Sequence, residues 1–221
     1  MNDLIEKYYT HWVEQKTSQE QDYLKDRVFL TIEQLFKDIL KKDFKGRVLD
    51  LGCGDGSFTR VCQKRGINAV GIDIKDGVNF EFDVLPYSEN SFDVVFMYAL
   101  IEHLHDPSNI LREIKRVLTA KGVVVVITPN LKYAGNSFYD DPTHVRPYTA
   151  ISLNRLMNIY KFNKLFSGLW IVKRSSLIWK LPENLQFIYG SFLPFSGLKK
   201  YVPNFLRGRS KTMLCCFENI K

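Results

Sequence analysis

Apolar and polar residues follow two different periods along the chain, and these periods predict its secondary structure. Between residues 20 and 41 the apolar side chains recur every three or four positions, which is typical of an amphipathic helix. The same period returns around residues 57–65 and 107–118. Short apolar runs bounded by glycine or acidic residues lie between these helices, and they predict strands at 47–51, 69–73, 79–82, 92–97 and 123–128.

Strands that alternate with helices predict right-handed βαβ crossovers. The expected fold is therefore α/β: a doubly wound, mostly parallel, Rossmann-like sheet with helices on both faces. The run at 123–128 is β-branched throughout, as in a strand that is buried on both faces. Beyond Pro129 the pattern loosens, and we expect a helix near 150–158 and strands near 169–172 and 212–217, which makes seven strands in all.

Composition narrows the class of protein. The chain has 221 residues, 45% hydrophobic and 25% charged, which is the balance of a folded protein and excludes a disordered or collagen-like chain. No apolar run approaches the ~20 residues that a transmembrane helix needs, and residues 1–6 lack a signal-peptide pattern. The four cysteines have neither zinc-site nor disulfide-framework spacing. We therefore expect a cytoplasmic protein.

The net charge of +7 is unevenly distributed. Residues 1–150 carry 19 basic and 22 acidic residues, whereas residues 151–221 carry 12 basic residues and only two acidic ones, Glu183 and Glu218. Aromatic and aliphatic residues crowd the same region between 180 and 211. A solvated basic face is one interpretation of this region, and an anionic partner is the other.

A glycine turn between the first predicted strand and its helix carries the strongest chemical signal. Gly52 and Gly54 allow the backbone to turn tightly and to approach a ligand without a side chain in the way. Asp73 ends the next strand, where a carboxylate is able to accept hydrogen bonds from both hydroxyls of a ribose. The spacing therefore predicts a nucleoside site.

Two nucleoside cofactors fit such a site, NAD and S-adenosylmethionine. A dinucleotide site has a third glycine where the helix N-terminus meets the pyrophosphate, and here Ser57 stands at that position. Asp50 adds a carboxylate beside the turn, which repels pyrophosphate but suits a ligand with an amine and a sulfonium. These residues favour S-adenosylmethionine. An NAD-dependent oxidoreductase and a nucleoside-binding protein without catalysis stay open as alternatives.

At this point the chain resembles the class I S-adenosylmethionine-dependent methyltransferases, over roughly residues 45–130. The glycine turn resembles their first motif, and the likeness continues in order through the segments at 70–73, 82–86, 90–95 and 116–122. The resemblance implies an enzyme that transfers a methyl group from S-adenosylmethionine and releases S-adenosylhomocysteine.

The resemblance also implies which residues hold the methionine end of this cofactor. Asp50 lies near the methionine moiety, and the backbone of Gly52, Cys53 and Gly54 cradles it. Just past the fourth predicted strand, the methyl-transfer centre is bordered by Tyr98 and Ala99.

The adenosine end is assigned in the same way. Asp73 takes the ribose hydroxyls and Ile74 packs on adenine. Asp83 accepts a hydrogen bond from the exocyclic amine, with the backbone N–H of Val84 beside it.

Two histidines are candidates for the chemistry. His144 lies in the loop after the strand at 123–128, and in open α/β sheets such loops overhang the carboxyl ends of the strands, where substrates bind. We therefore take His144 as the first candidate for a general base that removes a hydroxyl proton. His103 follows the strand at 92–97 on the cofactor side and is the second candidate, with packing as its alternative role.

A metal-dependent variant is an open alternative. Some methyltransferases of quinone precursors or RNA 2′-hydroxyls carry Glu-x-x-Glu-His here, with a further histidine downstream. This chain has Glu102, His103 and His144, but Ala99 stands where the first glutamate belongs. Because one ligand of the set is missing, we predict no metal.

The last expectation concerns organisation and acceptor. A single domain, 1–221, is expected to comprise a helical lid region at 1–45, a cofactor-binding core at 46–130 and a substrate-side region at 131–221. Its basic, aromatic insertion at 180–211 suits an anionic membrane or a substrate lid, and no stacking motif for RNA is visible. We expect a small, lipid-linked or glycan hydroxyl as acceptor, with an RNA acceptor as the alternative.

Overall fold

The computed structural model describes residue 7 and residues 18–171, 177–193, 195–196 and 207–221. Residues 1–6 and 8–17 of the predicted lid region lie outside these residues, as does part of the 180–211 insertion. The helices are α1 (Ser18–Leu35), α2 (Ser57–Lys64), α3 (Ser108–Val117), α4 (Leu131–Ala134), α5 (Ala150–Ile159) and α6 (Glu183–Phe192). The strands are β1 (Arg47–Leu51), β2 (Asn68–Ile72), β3 (Phe92–Tyr98), β4 (Leu118–Pro129), β5 (Phe162–Leu169), β6 (Phe195–Ser196), β7 (Arg207–Arg209) and β8 (Thr212–Asn219).

Six of these strands form one sheet in the order β2-β1-β3-β4-β8-β5. The first four are parallel, whereas β8 runs antiparallel to both of its neighbours, β4 and β5. The predicted α/β class, with a mostly parallel Rossmann-like sheet, is confirmed. The short strands β6 and β7 pair separately in the insertion.

The central strands are buried on both faces, as the β-branched run at 123–128 predicted. Every residue from 123 to 128 is at most 3% exposed. One face of the sheet packs against α3 and α5, and the other packs against α1 and α2. Because parallel strands end at the same edge, the loops after β1, β2, β3 and β4 meet at one end of the molecule.

The predicted strand at 79–82 is wrong, and the sheet has six strands rather than seven in the part of the chain described. These residues form turns instead. The side chain of Asn79 accepts from the Glu81 N–H, and the Asp83 carboxylate accepts from the Asn79 N–H at 2.7 Å. Local side-chain acceptors of this kind compete with a strand ladder for backbone N–H groups.

Three other boundaries shift. The strand expected near 169–172 is β5, which ends at Leu169. The helix expected at 20–41 is α1, and it passes into a five-residue π-helical segment, Phe36–Leu40. At α3 the cap is Pro107, while Asp106, one residue earlier, accepts a hydrogen bond from the Ser108 N–H. The helix predicted near 150–158 and the strand predicted near 212–217 are confirmed as α5 and β8.

In the described part of the chain, no helix is both long enough and apolar enough to cross a bilayer.

Candidate cofactor and acceptor site

The turn after β1 is built from glycines with left-handed backbone angles. The φ angles of Gly52, Gly54 and Gly56 are +75°, +58° and +73°, which side chains rarely allow. The turn is tied to β2, since the Ile72 carbonyl accepts from the N–H groups of Gly52 and Cys53. The predicted cradle is thus a tight backbone turn at the carboxyl edge of the sheet, and the Leu100 side chain packs against it at Gly52.

Asp73 lies where the sequence places it, directly beyond β2. Its Oδ2 accepts a hydrogen bond of 2.8 Å from the Gly54 N–H, so the ribose candidate and the glycine turn hold each other in position. The Asp76 carboxylate accepts from the Asp73 N–H, which fixes the following turn. The ammonium of Lys75 donates to the Gly54 carbonyl. These hydrogen bonds hold the turn after β1 against the segment after β2 before any ligand binds.

Asp50 is a buried carboxyl group at the end of β1, beside the glycine turn. It is 3% exposed, and its Oδ2 accepts from the Thr59 hydroxyl at 2.8 Å. Burial raises the pKa of Asp50 to about 6, and the Thr59 hydrogen bond and the charge of Lys25 oppose this shift. A buried carboxylate is stabilised further by a cationic ligand group.

The N-terminus of α2 is closed to a pyrophosphate. The Asp55 carboxylate accepts from both the N–H and the hydroxyl of Ser57, at 3.1 and 2.7 Å. The N–H that a dinucleotide phosphate would use is therefore already paired with an anion. Three carboxylates, Asp50, Asp55 and Asp73, line this turn, and this donor set fits a cationic cofactor with ribose hydroxyls rather than an anionic one.

The adenine-side candidates lie on two exposed turns. Ile74 begins a short 3₁₀ turn after β2 and is half-buried. Asp83 and Val84 are exposed, Val84 at 69%. The amide of Asn109 donates to the Asp83 carbonyl at 2.8 Å and so attaches this turn to α3. The Asp83 carboxylate also accepts from the Asn79 N–H, which fixes the turn that carries Asp83 and Val84.

Tyr98 and Ala99 end β3 at the same edge. Ala99 has a φ of +53°, and its N–H donates to the Ile127 carbonyl. The ammonium of Lys25, from α1, lies 4.5 Å from the centroid of the Tyr98 ring. The Trp170 ring meets Tyr98 edge-on at 6.0 Å. A cation and two aromatic rings therefore border the predicted methyl-transfer centre.

His103 and His144 lie side by side, although 40 residues separate them in the chain. Their ring centroids are 4.8 Å apart. Nδ1 of His144 lies 2.7 Å from the Phe138 carbonyl, and Nδ1 of His103 lies 3.1 Å from the Thr143 carbonyl. Because a carbonyl only accepts, both Nδ1 atoms carry the proton and both Nε2 atoms keep a lone pair. Burial lowers the pKa of His103.

Asp141 connects these two imidazoles. Its Oδ1 accepts from the Thr143 hydroxyl at 2.6 Å, and that hydroxyl oxygen lies 2.9 Å from Nδ1 of His103. Its Oδ2 lies 3.8 Å from Nε2 of His144. Such a carboxylate stabilises positive charge that develops on His144.

The sequence predicted Glu102 only as a member of an incomplete metal set, whereas the structure gives it a central place in this site. It is 0% exposed, and its Oε2 accepts from the Thr128 hydroxyl at 2.9 Å, while Oε1 has no hydrogen-bond partner among the described residues. Burial raises its pKa to about 7. The Glu102 carbonyl also accepts from the N–H groups of Val145 and Arg146 and so holds the His144 loop against β3.

One ligand atom from each of Glu102, His103 and His144 lies within 4.8 Å of the others. The three groups that the sequence named as an incomplete metal set are therefore close enough to share an ion.

Other residues of the site carried little sequence signal. Thr59 lies one turn into α2, where a threonine has no distinguishing context, and Thr143 is marked only by its proximity to His144. Lys25 reaches the site from a helix that precedes the whole sheet. Such contacts depend on how the elements pack and not on local spacing.

Comparison with known proteins gives the family. Residues 21–165 match the methyltransferase-domain family. An S-adenosylmethionine-dependent methyltransferase of Archaeoglobus fulgidus has a similar structure, with a TM-score of 0.53, 19% identity and coverage of 90% of this chain and 94% of that one. A methyltransferase of Methanosarcina mazei gives a TM-score of 0.54 at 14% identity, over 80% and 93% of the two chains. The chain belongs to the class I S-adenosylmethionine-dependent methyltransferases.

Two curated relatives match part of the sequence. A ubiquinone biosynthesis O-methyltransferase of Aeromonas salmonicida is 28% identical over 106 residues, which are 39% of this chain and 44% of that protein. A protein described as a probable S-adenosylmethionine-dependent methyltransferase of Mycobacterium tuberculosis is 31% identical over 126 residues, 50% of this chain and 46% of its own length. The chain thus spans less than half the length of these relatives. The predicted family, enzyme class and cofactor are confirmed.

Proposed function

We propose that this protein transfers a methyl group from S-adenosylmethionine to a hydroxyl group of a small, lipid-linked or glycan acceptor. The observation that carries the proposal is the 2.7 Å contact between Nδ1 of His144 and the Phe138 carbonyl. That Nδ1–H is committed to the Phe138 carbonyl, so Nε2 is the free base of this ring at the carboxyl edge of β4. When bound, S-adenosylmethionine supplies a methyl group on a cationic sulfur.

The residues around the turn hold the cofactor in this proposal. Asp50 pairs with the ammonium of the methionine moiety, and Asp73 accepts from the ribose hydroxyls while keeping Gly54 in place. Ile74 packs on adenine, and Asp83 accepts from its exocyclic amine with the backbone N–H of Val84 beside it. A fixed alignment of acceptor and methyl group is itself worth up to about 7–11 kcal/mol of barrier.

His144 performs the proton transfer. Nε2 removes the acceptor proton as the oxygen–carbon bond forms and the sulfur–carbon bond breaks. Asp141, 3.8 Å from that nitrogen, stabilises the imidazolium that results. A positioned base of this kind contributes roughly 10²–10⁴-fold to the rate. His103 supports the same network through Thr143 and Asp141.

The test uses His144→Ala and His144→Gln. We expect both variants to bind S-adenosylmethionine within about 0.5 kcal/mol of the parent, because the cofactor contacts lie elsewhere. Transfer should fall about 10²-fold or more, measured as S-adenosylhomocysteine released with a panel of phenolic, lipid-linked and glycan hydroxyl compounds. Full activity in both variants would show that His144 is not the general base, and His103 would be tested next.

A second candidate gives the same residues a different role, in which Glu102, His103 and His144 hold a divalent metal ion. The observation in its favour is that the fully buried Oε1 of Glu102, which has no hydrogen-bond partner among the described residues, belongs to a carboxylate that lies with both imidazoles within 4.8 Å, ligand atom to ligand atom. Two imidazoles and a carboxylate suit transition-metal ions. Loss of activity with a chelator, and its return on addition of one metal ion, would select this role over the general base.

We place the acceptor among lipid-linked or glycan compounds because two features support this class. A ubiquinone biosynthesis O-methyltransferase is among the relatives, and the region after residue 150 is strongly basic. The protein is then cytoplasmic, with peripheral contact at an anionic membrane. An RNA acceptor is the alternative, and methyl transfer to RNA but to no compound of the panel would favour it.

A further inference from the structure

The outer face of helix α6 is apolar and exposed. Leu185, Ile188 and Phe192 lie three and four positions apart, on one face of the helix. Their exposed fractions are 45%, 48% and 83%. We call these three residues the α6 outer stripe. An exposed phenylalanine at the end of an apolar helical stripe is typical of a surface that meets an apolar partner.

The stripe faces outward because the opposite face of α6 is committed to the fold. Oε1 of Gln186 accepts from the Leu169 N–H at 3.0 Å, and Nε2 donates to the Leu181 carbonyl at 2.8 Å. A Cβ on Gly168 would come within 2.5 Å of that amide oxygen, so the helix lies close against β5. Phe187 is 0% exposed. The helix cannot rotate to bury its stripe without breaking these contacts.

The sequence that follows the stripe carries charge of only one sign as far as residue 217. Between residues 184 and 217 the sequence contains five basic residues and no acidic one: Lys199, Lys200, Arg207, Arg209 and Lys211. Lys180, just before the helix, is exposed. The acidic residue at the start of α6, Glu183, faces inward and accepts from the Ser167 hydroxyl at 3.2 Å. Nothing acidic in this stretch of sequence therefore opposes an anionic partner.

We propose that the α6 outer stripe docks this protein on the surface of an anionic lipid bilayer, and that the basic residues that follow it in the sequence add electrostatic attraction. The apolar side chains enter the interface between headgroups and acyl chains, and the lysines and arginines pair with lipid phosphates. This inference rests on the proposed function, and it assigns the membrane contact to a particular surface.

The same helix connects this surface to the acceptor loop. The Phe187 ring stacks on Tyr133 of α4, with centroids 4.0 Å apart and planes inclined by 3°. Helix α4 leads into the segment that contains Phe138 and His144. An acceptor that is drawn from the bilayer along α6 would thus arrive beside the candidate base.

The experiment compares co-sedimentation of the full chain with vesicles of phosphatidylglycerol and of phosphatidylcholine. We expect at least tenfold more protein bound to the anionic vesicles, with release in 0.5 M NaCl because exposed charges are screened. The variant Ile188→Glu/Phe192→Glu should lose that binding by tenfold or more. The matched control is Ile159→Glu on α5, which is also exposed, at 74%, and should bind like the parent.

Two further measurements separate the outcomes. Both variants should keep the parental affinity for S-adenosylmethionine, which would show that they are folded and that their cofactor site is intact. Unchanged vesicle binding by Ile188→Glu/Phe192→Glu would overturn the assignment of the stripe. The assignment would also be overturned if the parent associated with itself in the absence of vesicles and Ile188→Glu/Phe192→Glu abolished that association. The stripe would then bind a second copy of this chain. Vesicle binding without affinity for S-adenosylmethionine would contradict the proposed function and not the surface.

Discussion

At the scale of single residues, the site is dominated by carboxyl groups that the fold removes from water. Asp50 is buried against Thr59, and Glu102 is buried against Thr128. In both cases burial raises the pKa, to about 6 and about 7. A protein that keeps such groups incurs a cost in stability, which a ligand of opposite charge offsets on binding.

We predict that Asp50 links cofactor affinity and stability to pH. Its folded pKa lies above the ordinary value, so the folded state binds more protons and the free energy of unfolding falls as pH rises from about 4 to about 6. This contribution is on the order of 3 kcal/mol. Affinity for S-adenosylmethionine should instead rise through about pH 6, because the ionised carboxylate pairs with the cofactor ammonium.

The measurement is urea denaturation and calorimetric titration across pH 4–8, with Asp50→Asn as the matched variant. Asp50→Asn should lose this part of the pH dependence in both experiments and bind the cofactor more weakly at pH 8. Identical pH profiles for parent and variant would show that another group is responsible.

Asp73 leads to a prediction about cofactor choice. We expect S-adenosylmethionine and S-adenosylhomocysteine to bind and NAD not to bind, because Asp55 already occupies the helix N-terminus. Asp73→Ala should weaken binding by roughly 1.5–3 kcal/mol, the scale of charge-assisted hydrogen bonds. Asp73→Asn keeps an acceptor for the Gly54 N–H and should lose less. Equal affinity in parent and Asp73→Ala would refute the ribose assignment.

At the scale of elements, close packing of β2 against the turn after β1 keeps the site in shape. A Cβ on Gly71, in the middle of β2, would lie 2.7 Å from the Thr59 hydroxyl and 2.8 Å from Cys53. Thr59 in turn holds Asp50. A change in the strand would therefore reach the cofactor site through two neighbouring side chains.

We predict that Gly71→Ala lowers the free energy of unfolding by about 1–3 kcal/mol, the usual cost of overpacking, and weakens S-adenosylmethionine binding. Asn68→Ala, on the exposed start of the same strand, is the control and should change stability by less than about 0.5 kcal/mol. Denaturation and calorimetry measure both effects. Parental stability of Gly71→Ala would contradict this prediction, because the turn would then accept the extra methyl group with no loss in the free energy of unfolding.

At the scale of the whole molecule, the cysteines are free thiols held away from water. Burial raises the pKa of Cys53, Cys62 and Cys215 to about 12, and that of Cys216 well above its ordinary value. The thiolate is the reactive form. These thiols are therefore unreactive while the protein is folded.

We predict that iodoacetamide modifies the folded protein slowly at pH 8 and modifies all four cysteines rapidly in 6 M guanidinium chloride. Mass spectrometry counts the adducts. Rapid modification of the folded protein at Cys53, which is half-buried beside the cofactor turn, would show that this turn opens in solution. Bound S-adenosylhomocysteine should then slow that modification.

Apart from the wrongly predicted strand at 79–82, the sequence by itself determined the order of strands and helices through β4, because those elements have regular periods and glycine or acidic boundaries. It also predicted the family and the cofactor, since Asp50, Gly52, Gly54 and Asp73 lie at spacings that a βαβ unit brings together. The division at residues 45 and 130 stays a prediction. The loss of a strand at 79–82 depended on competition for a few backbone N–H groups, which no period reveals.

Only the tertiary structure decided which distant groups meet. It placed β8 between β4 and β5, and this arrangement joins the end of the chain to the centre of the sheet. It also brought Glu102, His103 and His144 together and left one oxygen of Glu102 buried without a partner. Sequence spacing reports contacts within one turn or strand, whereas these contacts arise because parallel strands end at a common edge, where loops 40 residues apart become neighbours.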